Sequence, residues 1–579
     1  MVLRLLCDLL RERVAATPER AALLVESGRT LTYGDWDRRS DAVAARLAHR
    51  GVCSGDVVAL FFSNERWDDY AVAYLAAHKL AAVAVPLSPQ VAGPELGRRL
   101  AHCGAVGTLH APGLTPELPE SPDGWVADVT ELEDGPPAEP LGVTPAPGDL
   151  AEIIYTSGTT EIPKGVACSH ASIAVHDGPP EPDGPLLRLL HAFPIGTNAS
   201  QEALRISLRR GDRLPIALDG FDPERCAVAI ERYRVDRLQL VPATAQVLAT
   251  SGAWRRHDLS SIQVVTLSSA PTSPALLARL AEAFPSARFV NTYALTESGT
   301  ARTLNPDALT RPDSVGRPVG RTELQVVDDS GDAVPTGQTG RIWLRRPGAP
   351  SREYFRDPES TAAAFTGDWL RTGDLGWLDD EGELHLVGRD EDVIICGGLN
   401  VSGVEVEHVL AEHPAVVDAA VVGVPHEVLG QQVVAAVVTR GAVEPRELQA
   451  LVRSRLAEHK TPHRITITEA LPRTPSGKVR KRDLVATLGP TAGAPLGERP
   501  AFVAPSTPAE EAIATIWAEV LGVADVGVHD DFFERGGQSL AAAEVLARLG
   551  DTFGVTMTMS GLFEQPTVAE LAAAVTRQS

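Results

Sequence analysis

The stretch IQVVTLSSAPTSPALLARLAEAFPSARFVNTY, Ile262–Tyr293, reads as strand, helix and strand in succession, and each strand runs out into polar or small residues. Immediately upstream, LQLVPATAQVLA (Leu238–Ala249) has the same texture. Toward the N-terminus, DVVALFF (Asp56–Phe62) and AAVAVPL (Ala81–Leu87) are further short apolar strands alternating with helical segments. The series starts at ALLVESGRTLTYGDW (Ala22–Trp36), where a Ser-Gly turn separates two apolar runs. SDAVAARLAHRG (Ser40–Gly51) continues it as an amphipathic helix ending in glycine. Such alternation predicts an α/β fold with largely parallel sheets, and ligands favour the strand ends of that architecture.

The chain has 579 residues, too many for one hydrophobic core, so several domains are expected. Its 44% hydrophobic and 22% charged residues are those of an ordinary globular protein. A net charge of -23 argues against nucleic acid or an anionic membrane as partner. It leaves small anions open, because a local cationic pocket acts over a few ångströms. The six cysteines are scattered without zinc-type spacing, which suggests reduced thiols. Residues 1–20 lack a signal-peptide apolar run and no later stretch is long enough to span a bilayer, so a cytoplasmic location is expected.

Around Gly388 the texture changes to GRDEDVIICGGLNVSGVEVEHVLAEHPAVVDAAVVGVP, a compact α+β pattern. Between Leu484 and Pro508 the chain is dense in Gly, Pro, Ala and Thr, which is linker chemistry. EEAIATIWAEVLG, SLAAAEVLARLGDTFG and TVAELAAAV then fit a small helical bundle. The expected division is a large α/β, multi-sheet domain over 1–390, a small α+β domain over 391–485, a linker over 486–507 and a four-helix bundle over 508–579.

After the apolar strand AEIIY comes Tyr155-Thr156-Ser157-Gly158-Thr159-Thr160-Glu161-Ile162-Pro163-Lys164-Gly165. Hydroxyls, exposed amides, Gly and one Lys can together surround an anion. The spacing is not that of a Walker A loop, and read alone the segment is a solvent-exposed Ser/Thr/Gly turn. It closely resembles the phosphate loop of the adenylate-forming superfamily, which includes acyl-CoA synthetases, luciferases and the adenylation domains of nonribosomal peptide synthetases. The resemblance implies ATP contacts from Thr156, Ser157, Gly158, Thr159, Thr160 and Lys164. Glu161 departs from the glycine usual in the family. A carboxylate there would repel a triphosphate by about 1 kcal/mol at about 4 Å in bulk water, so Glu161→Gly is expected to lower the apparent KM for ATP.

Further segments match the family in its own order. Asn291-Thr292-Tyr293-Ala294-Leu295-Thr296-Glu297 resembles the motif that places Tyr293 near adenine, Thr296 on the α-phosphate and Glu297 on Mg2+, a hard cation that needs oxygen ligands. Asp374, in Arg371-Thr372-Gly373-Asp374, resembles the acceptor for both ribose hydroxyls. Gly388-Arg389-Asp390-Glu391-Asp392 resembles the hinge, with Arg389 near the ribose and Asp392 at the pivot. Pro472–Arg480 resembles the catalytic lysine loop, with Lys478 expected to stabilise the charge that builds as a carboxylate attacks the α-phosphate. Only five lysines occur in the chain, and two of them fall in expected loops. The family implies rotation about the hinge, bringing up Lys478 in one state and the face near Gly397 and Gly398, which admits a thiol, in the other.

Asp530-Asp531-Phe532-Phe533-Glu534-Arg535-Gly536-Gly537-Gln538-Ser539-Leu540 resembles the attachment motif of carrier proteins, which implies a 4'-phosphopantetheine arm on Ser539. Serine is also favoured there simply as a helix N-cap. Gln538 replaces the commoner His or Asp. The implied partners are a small carboxylic acid, a phosphopantetheinyl transferase and downstream condensation or tailoring enzymes.

In amino-acid-activating relatives an Asp in a F-D-A-S-type motif pairs with the substrate ammonium. The matching placement here is Thr197-Asn198-Ala199-Ser200, and an amide cannot supply that charge. Glu202 is open to two readings, an exposed helical carboxylate or a pocket group for a distal cation. Gln239, Leu267, Thr292, Thr300 and Ala301 complete the expected lining. The leading expectation is activation of an amino, aryl or otherwise modified acid and its loading onto the chain's own carrier. The alternatives are an acyl-CoA synthetase-like ligase with an appended carrier-like domain, or a catalytically impaired scaffold.

Overall fold

A computed structural model describes residues 4–91, 93–114, 124–133, 143–156, 164–174, 186–396, 398–426, 430–474, 477–489, 502–532, 535, 539–555, 557, 561–562 and 565–578. In the stretch that opened the reading, Val264–Leu267 and Arg288–Tyr293 are parallel neighbours, aligned Val264 to Arg288 and Leu267 to Asn291. The helix between them, Pro274–Ala283, starts where the Ser273 hydroxyl accepts from the Leu276 N–H and Pro274 occupies the first turn. Leu276, Leu277, Leu280 and Ala283 recur at helical spacing and are buried. Each buried leucine contributes about 1.5–3 kcal/mol of transfer free energy.

These strands belong to a nine-stranded sheet. Its parallel part runs side by side through Arg288–Tyr293, Val264–Leu267, Arg237–Leu240, Leu187–His191, Arg213–Ala217 and Ala21–Val25. A seven-stranded sheet has its own parallel core, in which Val57–Phe61 and Val83–Leu87 are buried along their whole length, as parallel strands covered on both faces must be. Every residue from Trp67 to His78 in the helix Trp67–Lys79 is buried, so that helix belongs to the interior rather than to one solvent-facing layer.

Largely parallel sheets do not persist through the first 390 residues. Glu323–Val327, Gly340–Arg345, Trp369–Leu378 and Leu384–Arg389 form an antiparallel sheet well before the change of texture seen near Gly388. Only Trp369–Leu378 and Leu384–Arg389 are joined by a short turn, which favours antiparallel pairing; between Gly340–Arg345 and Trp369–Leu378 the chain passes through Glu353–Tyr354 and the helix Pro358–Ala364. After a 3-10 turn at Asp390–Asp392, a last sheet is built on the long hairpin Val416–His426 and Gly430–Thr439. It has its own core, including Val406, Val421, Val433 and Val437. The helix Lys481–Leu488 extends into the stretch read as linker and buries Leu484 and Leu488.

The chain divides into two compact units, Met1–Gly489 and Pro490–Ser579. In the second, helices Pro508–Leu521, Ser539–Phe553 and Val568–Gln578 surround Trp517 and Phe532, whose rings meet edge to face at 4.9 Å. Thr507 and Glu510 cap the first helix reciprocally, and Gly522 ends it in the left-handed region.

Candidate functional site

Strand ends and inter-strand turns bring the sequence-selected residues together. Leu150–Tyr155 and Gly165–Ser169 pair antiparallel, and beyond their ends Thr156 donates its N–H to the Lys164 carbonyl at 3.0 Å. Ser157, Gly158, Thr159, Thr160 and Glu161 lie outside the described residues. Lys164 Nζ stands 5.0 Å above the Tyr354 ring, a cation–π contact. The Tyr354 hydroxyl donates to Glu297 Oε1 at 2.9 Å. Tyr354 thus joins the phosphate-loop lysine to the expected magnesium ligand.

Tyr293 ends its strand buried and donates its hydroxyl to Asp374 Oδ2 at 2.5 Å. Arg389 Nε meets the other oxygen, Asp374 Oδ1, at 2.9 Å, because Asp374 and Arg389 are direct partners on adjacent strands. Burial pushes the Asp374 carboxyl above its ordinary value, opposed by Arg389, Tyr293 and Lys478. Thr296 sits in a loop held by the Ser298 hydroxyl, which accepts from the Leu295 N–H and donates to the Leu295 carbonyl.

Lys478 comes from the small subdomain. Thr474 donates its N–H to the Lys478 carbonyl and accepts, through its hydroxyl, from the Lys478 N–H. Gly477 has φ +85°, and a Cβ there would come within 3.1 Å of Val241 Cγ2, so the loop lies against the start of the helix Pro242–Ser251 in the large subdomain. Lys478 is exposed. Its ammonium is nonetheless held below lysine's ordinary value, first by the protein packed around it and then by Arg389, against the pull of Asp374 and Glu297. Asp392 is half-buried; burial raises its carboxyl and Lys481 opposes the rise.

The acid end is built differently. Asn198 opens the helix Asn198–Arg210, which Thr197 caps by accepting from the Ser200 N–H. Ala199 follows in its first turn. Glu202 is half-buried, and its carboxylate is bound by Arg205 at 2.9 Å and Arg209 at 2.7 Å. Burial pushes its pKa up, but Arg209, Arg205 and Arg352 outweigh this and hold it at about 2. Below, Arg205 and Glu152 pair at 2.6 Å with both side chains fully buried.

Gln239, Leu267 and Thr292 lie on three neighbouring parallel strands, half-buried, buried and half-buried respectively. The Thr292 hydroxyl donates to the Thr303 carbonyl at 2.8 Å. Thr300 and Ala301 line a cleft with Glu297, Gly299 and Arg352. Arg352, 3% exposed, donates through Nη1 to Asn198 Oδ1 at 3.2 Å and to the Thr296 carbonyl at 2.5 Å. Arg352 and Tyr354 escaped the sequence reading. Both sit in SREYF, and nothing in that pentapeptide marks them except its place upstream of the Asp374 segment. The Ser539 backbone opens a helix, and Gln538 and Gly397 lie outside the described residues.

Among the described residues no group of three or more His, Cys, Asp or Glu could hold a metal, and no helix is long and apolar enough to cross a membrane. Residues 10–355 match the family described as AMP-binding enzyme, residues 405–478 the AMP-binding enzyme C-terminal domain, and residues 511–575 the phosphopantetheine attachment site. The chain is 32% identical to 4-coumarate--CoA ligase 5 of Oryza sativa subsp. japonica, over 83% of this chain and 94% of that protein. It is also 32% identical to phosphinothricin tripeptide synthetase PhsB of Streptomyces viridochromogenes, over 98% of this chain but about half of that protein, 49%. Its fold matches that of McyG A-PCP, solved with phenylalanyl-adenylate, with a TM-score of 0.80 at 20% identity over 99% of this chain and 98% of that one. An adenylation domain is therefore fused to a carrier domain, and the chain belongs to the AMP-binding enzymes, ligases that use ATP with Mg2+, here joined to a site for 4'-phosphopantetheine.

Proposed function

We propose that the chain converts a carboxylic acid and ATP to an acyl-adenylate and pyrophosphate, then passes the acyl group to its own carrier domain. One observation carries this reading: the loop that bears Lys478, from the small subdomain, packs through Gly477 against Val241 of the large one, on which Asp374 and Glu297 lie. In the first step an acid oxygen attacks the α-phosphorus and the bond to pyrophosphate breaks. Lys478 neutralises the charge that builds on both reactants. Asp374 receives the ribose hydroxyls in place of its present partners Tyr293 and Arg389, and Thr296 contacts the α-phosphate.

Glu297, whose carboxylate takes a hydrogen bond from Tyr354, would be the protein ligand of a Mg2+, a hard cation that oxygen donors suit. The cation would neutralise phosphate charge. Thr156, Ser157, Gly158, Thr159, Thr160 and Lys164 would hold the remaining phosphates. Asn198, Ala199, Gln239, Leu267, Thr292, Thr300 and Ala301 would border the acid, with Glu202 acting through its arginines. Asp392 would be the pivot between states.

4'-Phosphopantetheine on Ser539 would supply the thiol whose sulfur takes the acyl group as AMP leaves. A phosphopantetheinyl transferase would install it, and a condensation or tailoring enzyme would collect the product. Tethering raises the local thiol concentration to roughly the millimolar range, so loading in cis should outrun loading of a free carrier. Intact mass of the holo-protein after incubation with ATP and a panel of acids tests this. The expected result is an acyl mass gain lost in Ser539→Ala, with acid-dependent pyrophosphate exchange retained; no gain with any acid would refute loading. The near-complete coverage of 4-coumarate--CoA ligase 5 favours a second reading, transfer to free coenzyme A. Coenzyme A thioester formation at a rate indifferent to Ser539→Ala would establish it.

A further inference from the structure

A lysine ammonium rides on a flexible four-carbon stem, so its aim depends on the backbone that carries it. Around Lys478 that backbone is a short hairpin. Arg473 and Val479 form an isolated antiparallel bridge, the Arg480 N–H donates to the Pro472 carbonyl at 2.8 Å, and the Gly477 N–H donates to the Thr474 carbonyl at 2.8 Å. Leu471 and Val479 root the two arms in the apolar cluster of Ala420, Val422 and Val434. The tip, Thr474 to Lys478, carries no large apolar side chain that could anchor it in the same way.

Arg473 reaches back to that tip. It donates through Nη1 to the Gly477 carbonyl and through Nη2 to Asp418 Oδ2. The other oxygen of Asp418 accepts from the Ala419 N–H at 3.0 Å, so the anchor is itself held on the strand Val416–His426. Two residues earlier on that strand, the Val416 carbonyl accepts at 3.4 Å from both terminal nitrogens of Arg279, on the helix Pro274–Ala283 of the large subdomain. Arg473 therefore ties the residue next to Lys478 to the stretch of strand that the large subdomain grips. The Arg473 and Asp418 side chains are only 27% and 29% exposed, which sets the pair apart from the solvent-exposed bridges that contribute little. A guanidinium suits the task, because its rigid fork serves a carbonyl and a carboxylate at once.

We propose that Arg473, anchored on Asp418, is a positioning residue for adenylate formation: by holding the Gly477 carbonyl it fixes the backbone from which Lys478 is aimed. It acts through Lys478 and not on the reacting atoms. This rests on the acyl-adenylate reading above and adds a residue to it.

Two measurements on the full-length protein test it, one of them without turnover. Hydrogen–deuterium exchange read by mass spectrometry should show peptides spanning Leu471 to Arg480 exchanging at least ~10-fold faster in Arg473→Met than in wild type, with the strand Gly430–Thr439 unchanged as internal control. Asp418→Asn removes the anchoring charge and leaves the loop sequence intact. It should move the same peptides in the same direction, and it stands as the independent test should Arg473→Met fail to fold. In acid-dependent pyrophosphate exchange, Arg473→Met should lower kcat by roughly 10- to 100-fold, the scale of a small misplacement of a reacting group, with KM for ATP and acid nearly unchanged. Placed in Lys478→Ala protein, the same substitution should cost nothing further, because an effect that runs through Lys478 cannot be lost twice. An arginine with a merely structural role would slow both backgrounds alike. Unchanged amide exchange in the two variants, or equal slowing with and without Lys478, overturns the proposal. Loosened loop amides in a protein with no acid-dependent pyrophosphate exchange would sink the catalytic reading and leave the clamp on the loop standing.

Discussion

The nucleotide end and the acid end of the site hold similar groups in opposite states. At the nucleotide end, Asp374, Arg389, Tyr293, Glu297 and Lys478 come from strand ends, turns and a loop of the small subdomain, and their present partners are ones that a ligand can replace. At the acid end, Arg205 and Glu152 are fully buried on rigid elements, with Arg209 and Glu202 paired above them. The contrast separates two uses of charge. Half-buried pairs at strand ends can exchange partners with a ligand, whereas pairs locked in a core hold the elements around them in place.

Arg205→Met should break the acid end as a fold rather than as a catalyst. It leaves Glu152 buried without its counter-charge, expected to cost about 3–5 kcal/mol, read as a lower urea midpoint. An unchanged midpoint would mean that the two ends do not differ in kind. At the nucleotide end Lys478→Ala should do the reverse, leaving the midpoint in place and slowing pyrophosphate exchange by roughly 10²–10³-fold, the scale for loss of one charge-stabilising group.

The pH profile of kcat/KM for ATP sharpens the contrast further. Asp374 must be ionised to accept hydroxyls, and its pKa is raised above 3.8, so activity is lost on acidification at a higher pH than for an ordinary aspartate. Lys478 must be charged, and its pKa is lowered from 10.5, so the basic limb falls at a lower pH than for an ordinary lysine. The profile should be narrowed from both sides, and Lys478→Ala should remove the basic limb. The smallest effect is expected of Tyr354→Phe, which keeps the ring beneath Lys164 and deletes the hydroxyl on Glu297. The magnesium concentration for half-maximal rate should rise by roughly tenfold, the worth of one hydrogen bond to a charged group, with the urea midpoint unmoved.

The nucleotide end was legible in the sequence because each of its groups lies in a short segment whose composition already suits an anion, a diol or a cation. The acid end was not. Asn198 and Arg352 meet across 154 residues, and Tyr354 reaches Glu297 across 57, so no window contains both partners. Glu202 shows the same limit: its spacing to Arg205 and Arg209 was visible, but the burial that makes those pairs close was set by the helix Trp67–Lys79 and the strand carrying Glu152. The parallel sheets could be read from strand and helix alternation. The antiparallel sheet of Glu323–Arg389 could not, because its strands are only partly buried and carry little apolar contrast.

The scarcity of lysine has a practical consequence. Lys79 lies between Asp37 and Asp41, Lys460 binds Glu405, Lys481 binds Glu407, and Lys164 rests on an aromatic ring. Lys478 is exposed, and its ammonium is held below lysine's ordinary value. Followed by peptide mapping, so that it is told apart from acylation of the α-amino group, the speed of acylation at Lys478 becomes a clock for how long the lysine loop stays docked.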